Sequence, residues 1–240
     1  MMFDFSGRSV LVTGGTSGIG AALAQAFADA GAEVTITGTA ADTSAYTALP
    51  AHARYLQMSL ADRASIERVA SACASLDILI NNAGRTAMPE DFDAAIDDNL
   101  KGTYALTNAL LPVLAASGQP GGGAVLFTAS MMAFLGNTIF PGYGVAKAAL
   151  LVLARSLAQG WGARGVRVNV LAPGAIRTPM TEKFADDPFY GPEAAKRTAL
   201  GRWGTPADMV GPALFLCSPA AAYVTGECLS ASGGYMIADS

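Results

Sequence analysis

Short β-rich runs alternate with longer Ala- and Leu-rich stretches of helical character from one end of this chain to the other. That alternation leaves few folds open, because parallel strands must be joined by crossovers and helical crossovers cover both faces of the sheet. Strands are expected over residues 9–13, 33–37, 54–58, 77–80, 124–128, 167–171 and 227–230. Helices are expected over 19–31, 62–74, 91–117 and 143–163, with a loop over 118–123. Residues 40–53 are weakly patterned and contain Pro50, so any helix there should be short or broken. With right-handed crossovers, the order implies an α/β chain: a doubly wound parallel sheet of about seven strands with helices on both faces. Nothing reads as a linker or a repeat, so residues 1–240 are expected to form one domain.

A chain that is 52% hydrophobic and 14% charged has enough apolar surface to offset chain entropy, which excludes disorder. The net charge of −4 supplies no basic field for a phosphate backbone, so no nucleic acid partner is expected. Mean hydropathy is +0.36, yet charges cut every apolar run before the roughly 20 residues a membrane helix needs. The richest stretch, 146–157, holds Lys147 and Arg155. Cys73, Cys217 and Cys228 form neither a disulfide framework nor a zinc motif, which fits a reducing compartment. Met1 to Arg8 places acid before base and lacks a leader's layout, so a cytoplasmic location without membrane contact is expected.

Directly after the first strand comes Thr13-Gly14-Gly15-Thr16-Ser17-Gly18-Ile19-Gly20, which opens a helix. Glycines let the backbone approach a pyrophosphate, whose charge is met by unpaired N–H groups and the positive end of the helix dipole. The spacing of Gly14, Gly18 and Gly20 is GxxxGxG, and no GxxxxGK[ST] is present. The sheet is therefore Rossmann-like, with a dinucleotide site at its carboxyl edge.

With further motifs at successive strand ends, the chain resembles a short-chain dehydrogenase/reductase along essentially its whole length. Those motifs are Asn81-Asn82-Ala83-Gly84, Asn99, Ser130, Tyr143-Gly144-Val145-Ala146-Lys147 and Pro173-Gly174-Ala175-Ile176-Arg177-Thr178. The resemblance implies that Ser130, Tyr143 and Lys147 are catalytic and that Asn99 holds a water joining Lys147 to solvent. It implies NAD(P) binding by Gly14, Thr16, Ser17, Gly18, Ile19, Gly20, Asn82, Ala83 and Gly84. Tyr143, Lys147, Pro173, Gly174, Ile176 and Thr178 would complete that set. Family members commonly form homotetramers through the two long helices and the last strand.

The chemistry stands without the family name. Tyr143 and Lys147 lie four apart on one helix face, where an ammonium would favour the phenolate of a group whose ordinary pKa is about 10. Ser130 can donate to an oxygen that becomes alkoxide-like, and Tyr143 can move the proton. The single histidine, His52, and the lack of GxSxG or HExxH leave triad and zinc chemistry without residues.

Cofactor choice is read at the end of the second strand, where an acid accepts from the ribose diol of NAD. Gly38 and Thr39 stand there instead, Asp42 follows three residues on, and Ser17 occupies a loop position that carries Arg or Lys in many NADP-preferring relatives. Thr39 could bond a 2′-phosphate, which tilts the choice between NAD and NADP towards NADP. Ser59, beside Leu60, replaces the Asp that commonly contacts adenine.

Placement around the catalytic set makes Met131, Met132, Phe134, Phe140 and Ala175 candidate pocket residues. Met180, Phe184, Phe189, Tyr190 and Trp203 join them from segment 180–204, read as a lid with breaks at Asp187-Pro188 and Gly191-Pro192. This lining favours a neutral, apolar small-molecule ketone or secondary alcohol, the substrate of a carbonyl reductase acting on CH-OH groups. The alternatives are a 3-oxoacyl thioester reductase, acting on acyl-carrier-protein or CoA substrates, and a non-catalytic dinucleotide-binding protein.

Overall fold

The protein is described here by a computed structural model that covers residues 3–47, 49–86, 91–235 and 237. Seven parallel strands form one sheet: β1 (Ser9–Val12), β2 (Glu33–Gly38), β3 (Arg54–Gln57), β4 (Ile78–Asn81), β5 (Gly123–Thr128), β6 (Val166–Pro173) and β7 (Cys228–Ala231). Their spatial order is β3-β2-β1-β4-β5-β6-β7. The order reverses between β1 and β4, and such a switch point opens a crevice at the carboxyl ends of the strands. Registers such as Leu126 opposite Asn169 and Val12 opposite Ile36 carry the parallel ladders through the centre.

Strands β4, β5 and β6 are buried along their whole length because helices cover both faces. On one face, α2 (Arg63–Ala72), α4 (Thr103–Ala115) and α5 (Pro141–Trp161) bury Ile66, Leu106, Leu110, Leu150 and Trp161 against Leu79, Phe127 and Val168. On the other, α1 (Gly18–Asp29) and α8 (Val210–Cys217) bury Leu23, Phe27 and Ala213 against Val10, Ile36 and Ile80. The ends follow local chemistry. Asp62 caps α2 by accepting from the Ala64 N–H at 3.0 Å, and Gly31, with φ +90°, ends the turn after α1.

Two expectations change. The helix expected over 91–117 is not continuous: α3 (Phe92–Ile96) passes into a π-helical turn, Asp97–Gly102, before α4 begins. There the Gly102 Cα packs so closely against the Leu60 carbonyl that a Cβ would collide with it. In addition, Gly191-Pro192 does not break the chain. It lies in the first turn of α7 (Tyr190–Lys196), as Gly211-Pro212 lies in the first turn of α8, where proline removes an N–H that has no helical partner. A short α6 (Glu182–Ala185) precedes α7. Among the described residues no helix is long and apolar enough to cross a membrane.

Candidate active site

The carboxyl edge of the sheet opens into a cavity of about 410 Å³. Its floor begins at the glycine loop. Gly14 takes φ +63°, and a Cβ on Gly20 would collide with the Gly14 carbonyl and the Asn82 amide, so the loop folds tightly onto the end of β4. Asn82 and Thr13 hold it there. The Thr13 hydroxyl accepts from the Asn82 and Ala83 N–H groups at 3.0 and 2.9 Å, and the Asn82 amide donates to the Thr13 and Gly14 carbonyls at 3.2 Å. Ser17, at the N-cap of α1, makes no side-chain cap bond, and no acid lies in the first turn. The first N–H groups of α1 therefore stay available to an anion. This cradle, which a larger residue would fill, fits the pyrophosphate of NAD(P).

Ser130 follows β5, and its hydroxyl accepts from the Met132 N–H at 3.2 Å as it caps a 3₁₀ turn. Pro141 starts α5, so Tyr143 and Lys147 leave its first two turns on the same face. Lys147 is 3% exposed and donates to the Thr128 carbonyl at 2.7 Å. Its ammonium lies 5.6 Å from the centre of the Tyr143 ring. Burial pulls Lys147 down to about 8. Burial also pushes the Tyr143 phenol above its ordinary value, with the Ser130 hydroxyl pulling the other way. Burial is the larger influence on the phenol here, and the Lys147 ammonium is committed to the Thr128 carbonyl.

Asn99 stands in the π-helical turn, fully buried. Its amide donates to the Arg85 and Ala95 carbonyls at 3.0 and 2.9 Å, and its oxygen accepts from the Arg85 N–H at 3.0 Å. Gly84 separates this oxygen from the Lys147 ammonium. Asn99 therefore braces the loop after β4 and makes no direct bond to Lys147.

Gly14, Ser17, Gly18, Ile19, Asn82, Ala83, Gly84, Ser130, Tyr143, Lys147, Pro173, Gly174, Ile176 and Thr178 all line the cavity. Thr16, Gly20, Thr39, Ser59, Leu60 and Asn99 do not. Gly20 and Asn99 lie behind the lining, whereas the Ser59 backbone is tied to the Ser65 hydroxyl at the start of α2. On the substrate side, Met131, Met132, Phe140, Ala175, Met180, Phe184, Tyr190 and Trp203 line the wall as expected. Phe134 and Phe189 do not: they are 45% and 83% exposed, turned to solvent by the loops that carry them. Phe140, Phe184, Tyr190 and Trp203 form a chain of edge-on rings at 6.2, 5.8 and 6.5 Å, and the Trp203 indole donates to the Gly191 carbonyl at 2.8 Å.

Several lining or bracing residues escape the sequence reading. Asn137 accepts from the Ile139 and Phe140 N–H groups at 2.8 and 2.7 Å, setting the entry to α5. Thr181 accepts from the Thr178 N–H at 2.9 Å and donates to the Ile176 carbonyl at 2.5 Å, fixing the loop after β6. Asn and Thr near a turn signal such bonds only weakly, because they have many other uses.

Residues 14–236 match the family model described as enoyl-(acyl carrier protein) reductase. The chain is 34% identical to the 2-dehydro-3-deoxy-D-gluconate 5-dehydrogenase of Pseudoalteromonas atlantica, over 98% of each chain. It is 35% identical to the 3-oxoacyl-[acyl-carrier-protein] reductase FabG of Escherichia coli, over 98% of this chain and all of that one. The Pseudomonas aeruginosa RhlG/NADP active-site complex superposes with a TM-score of 0.88 at 32% identity, over 98% of each chain. Sequence, strand order and cleft agree that the chain belongs to the short-chain dehydrogenase/reductases and is an NAD(P)-dependent oxidoreductase interconverting ketones and secondary alcohols.

Proposed function

We propose that this enzyme acts on a neutral, apolar ketone or the matching secondary alcohol, as a carbonyl reductase. The observation that carries this reading is the charge of the cavity wall. Among the described residues lining it, Lys147 is the sole cation, and Asp187 is the sole carboxylate. A sugar acid would bring a carboxylate against a wall of Met, Phe, Tyr and Trp side chains that itself holds no cation, and burying an unpaired charge is costly.

In this reading NAD(P), when bound, supplies or accepts the hydride. Ser130 donates to the substrate oxygen, and Tyr143 gives the proton in reduction or takes it in oxidation. Lys147, beneath the Tyr143 ring, favours the phenolate once a proton leaves, and Asn99 holds the loop that shapes this corner. The glycine loop, Asn82 to Gly84 and Pro173 to Thr178 hold the cofactor. Turnover should be measured with a bulky neutral ketone, a keto sugar acid and a 3-oxoacyl thioester in parallel. The ketone is expected to give the highest kcat/KM, by at least tenfold; a higher value for the sugar acid would overturn the reading.

A 3-oxoacyl thioester reductase is the second reading, favoured by the 35% identity to FabG. An acidic carrier needs basic surface, but the chain carries a net charge of −4, and of the lid cations Lys196 and Arg202 are paired with carboxylates at 2.7 and 2.8 Å while Lys183 and Arg197 are without such a bridge among the described residues. A non-catalytic role is disfavoured by the convergence of Ser130, Tyr143 and Lys147 on one cavity.

We further propose that residues 1–240 act as one domain, that the cofactor preference tilts to NADP, and that the chain works in the cytoplasm as a homotetramer. One sheet carrying every described strand supports the first, and free thiols at Cys73, Cys217 and Cys228 support a reducing compartment. Val145 and Val152 on α5, 52% and 62% exposed seven residues apart, support helix pairing between copies. Sedimentation giving a monomer would contradict the assembly.

A further inference from the structure

Where an acid would meet the ribose diol of NAD, this chain places a pair of tyrosines. Tyr46 follows the 3₁₀ turn Thr43–Ala45, Tyr55 stands on β3, and their ring centres are 5.8 Å apart. Both hydroxyls converge on the end of β2. Tyr55 donates to the Ala40 carbonyl at 2.6 Å, whereas the Tyr46 oxygen accepts from the Ala40 N–H at 3.1 Å and lies 3.4 Å from the Tyr55 hydroxyl. The Tyr46 hydroxyl also packs against Gly38, where a Cβ would collide with it and with the Thr16 methyl, so the tyrosine lies between the end of β2 and the glycine loop. Burial raises the Tyr46 phenol, but the hydrogen bonds with Tyr55 and Ala40 lead the influences that outweigh it and hold the group below its ordinary value.

Proton counting then separates the two rings. The Tyr55 proton is committed to the Ala40 carbonyl, and the Ala40 N–H is committed to the Tyr46 oxygen. The Tyr46 proton is the one left to give, with only the long 3.4 Å approach to the Tyr55 oxygen to compete for it. The nearby Asp42 carboxylate is turned to its own Ser44, accepting from that N–H at 2.8 Å, and among the described residues no carboxylate bonds to the hydroxyl cluster. A phosphate only accepts, so hydroxyls that can donate suit it, whereas a diol gains most from the carboxylate acceptor that is missing here.

We propose that Tyr46 is a specificity-determining residue that reads the 2′ position of the NAD(P) ribose, donating its phenolic proton, beside Thr16 and Thr39, to the 2′-phosphate of NADP(H). This rests on NAD(P) binding in the glycine-loop cradle and deepens the NADP preference proposed above. The test is a fluorescence titration of wild-type protein, Tyr46→Phe and Tyr55→Phe with NADPH and with NADH, each protein checked by thermal unfolding.

Wild type is expected to bind NADPH more tightly than NADH. Tyr46→Phe should weaken NADPH roughly tenfold, the size of a hydrogen bond to a charged group, and leave NADH within about twofold. Tyr55→Phe, which loosens the loop without removing the donor, should weaken both cofactors by a similar factor and leave their ratio unchanged. Equal loss of both cofactors in Tyr46→Phe would make it a loop-shaping residue and overturn the proposal, as would unchanged or tighter NADPH binding. Wild type favouring NADH would overturn the NADP preference, and binding of neither cofactor would remove the reading on which both rest.

Discussion

Lys147 and Arg167 are both buried, 3% and 6% exposed, and neither has a carboxylate partner among the described residues. Their surroundings differ in the supply of backbone acceptors. Arg167, near the start of β6, donates to the carbonyls of Gly121, Leu216, Ser218 and Val224, at 3.1, 2.8, 3.3 and 3.5 Å. It closes the C-terminal end of α8 and the loop before β7, where a cation also suits the helix dipole. Lys147, at the cleft, has three protons to give and one protein acceptor, the Thr128 carbonyl, and the Thr128 hydroxyl beside it is itself without a partner. One cation is satisfied and structural. The other is left short of acceptors where the substrate and cofactor would sit, and such incomplete satisfaction is what keeps a buried group free for chemistry.

The largest effect that would sharpen this contrast belongs to the neighbour Lys147 serves. Tyr143→Phe removes the proton donor and should lower ketone reduction roughly 10³-fold, with NADPH binding retained in a fluorescence titration. Lys147→Met should lower kcat by on the order of 10²-fold yet raise the midpoint of thermal unfolding at pH 7, since it deletes a buried cation with a single partner. Arg167→Met should do the reverse. Four carbonyls lose a donor, of which Val224 and Ser218 keep another in Asn169 and Ala221; the loss costs about 2 kcal/mol and lowers Tm by roughly 6 °C for a chain of this length, while kcat stays within about twofold. A fall in kcat as large as that of Lys147→Met would break the contrast. Smallest, Trp203→Phe loses the indole bond to Gly191 that pins α7 and should raise KM for an apolar ketone roughly threefold, about the size of one neutral hydrogen bond, with kcat held, as steady-state kinetics will read.

The side of the site that acts through residue identity could be read in advance. Ser130, Tyr143, Lys147 and the glycine loop announce themselves because a four-residue helical step and a strand-turn-helix context each constrain geometry. Arg167 gave no such sign, since its four acceptors come from three separate segments of the chain. The π-helical turn at Asp97–Gly102 was also hidden: the helical pattern on either side runs on through it, and the close approach of Gly102 to Leu60 joins segments far apart in sequence. α8, with Pro212 in its first turn, has no counterpart among the expected helices. Phe134 and Phe189 were placed in the pocket by proximity in sequence, which does not fix the direction in which a loop side chain points.

The most direct test of the contrast is the pH dependence of stability for wild type against Lys147→Met. Burial holds Lys147 near 8 in the folded chain, against 10.5 for an ordinary lysine. Between these values the unfolded chain binds more protons, so the wild type gains stability as pH rises from about 8 to about 10.5. Below pH 8 the full cost of the buried charge is present. Lys147→Met is therefore predicted to exceed wild type in unfolding free energy at pH 7 and to lose that advantage progressively up to pH 10.5. A difference between the two proteins that stays constant over that range would contradict the account of Lys147 as an under-satisfied buried cation.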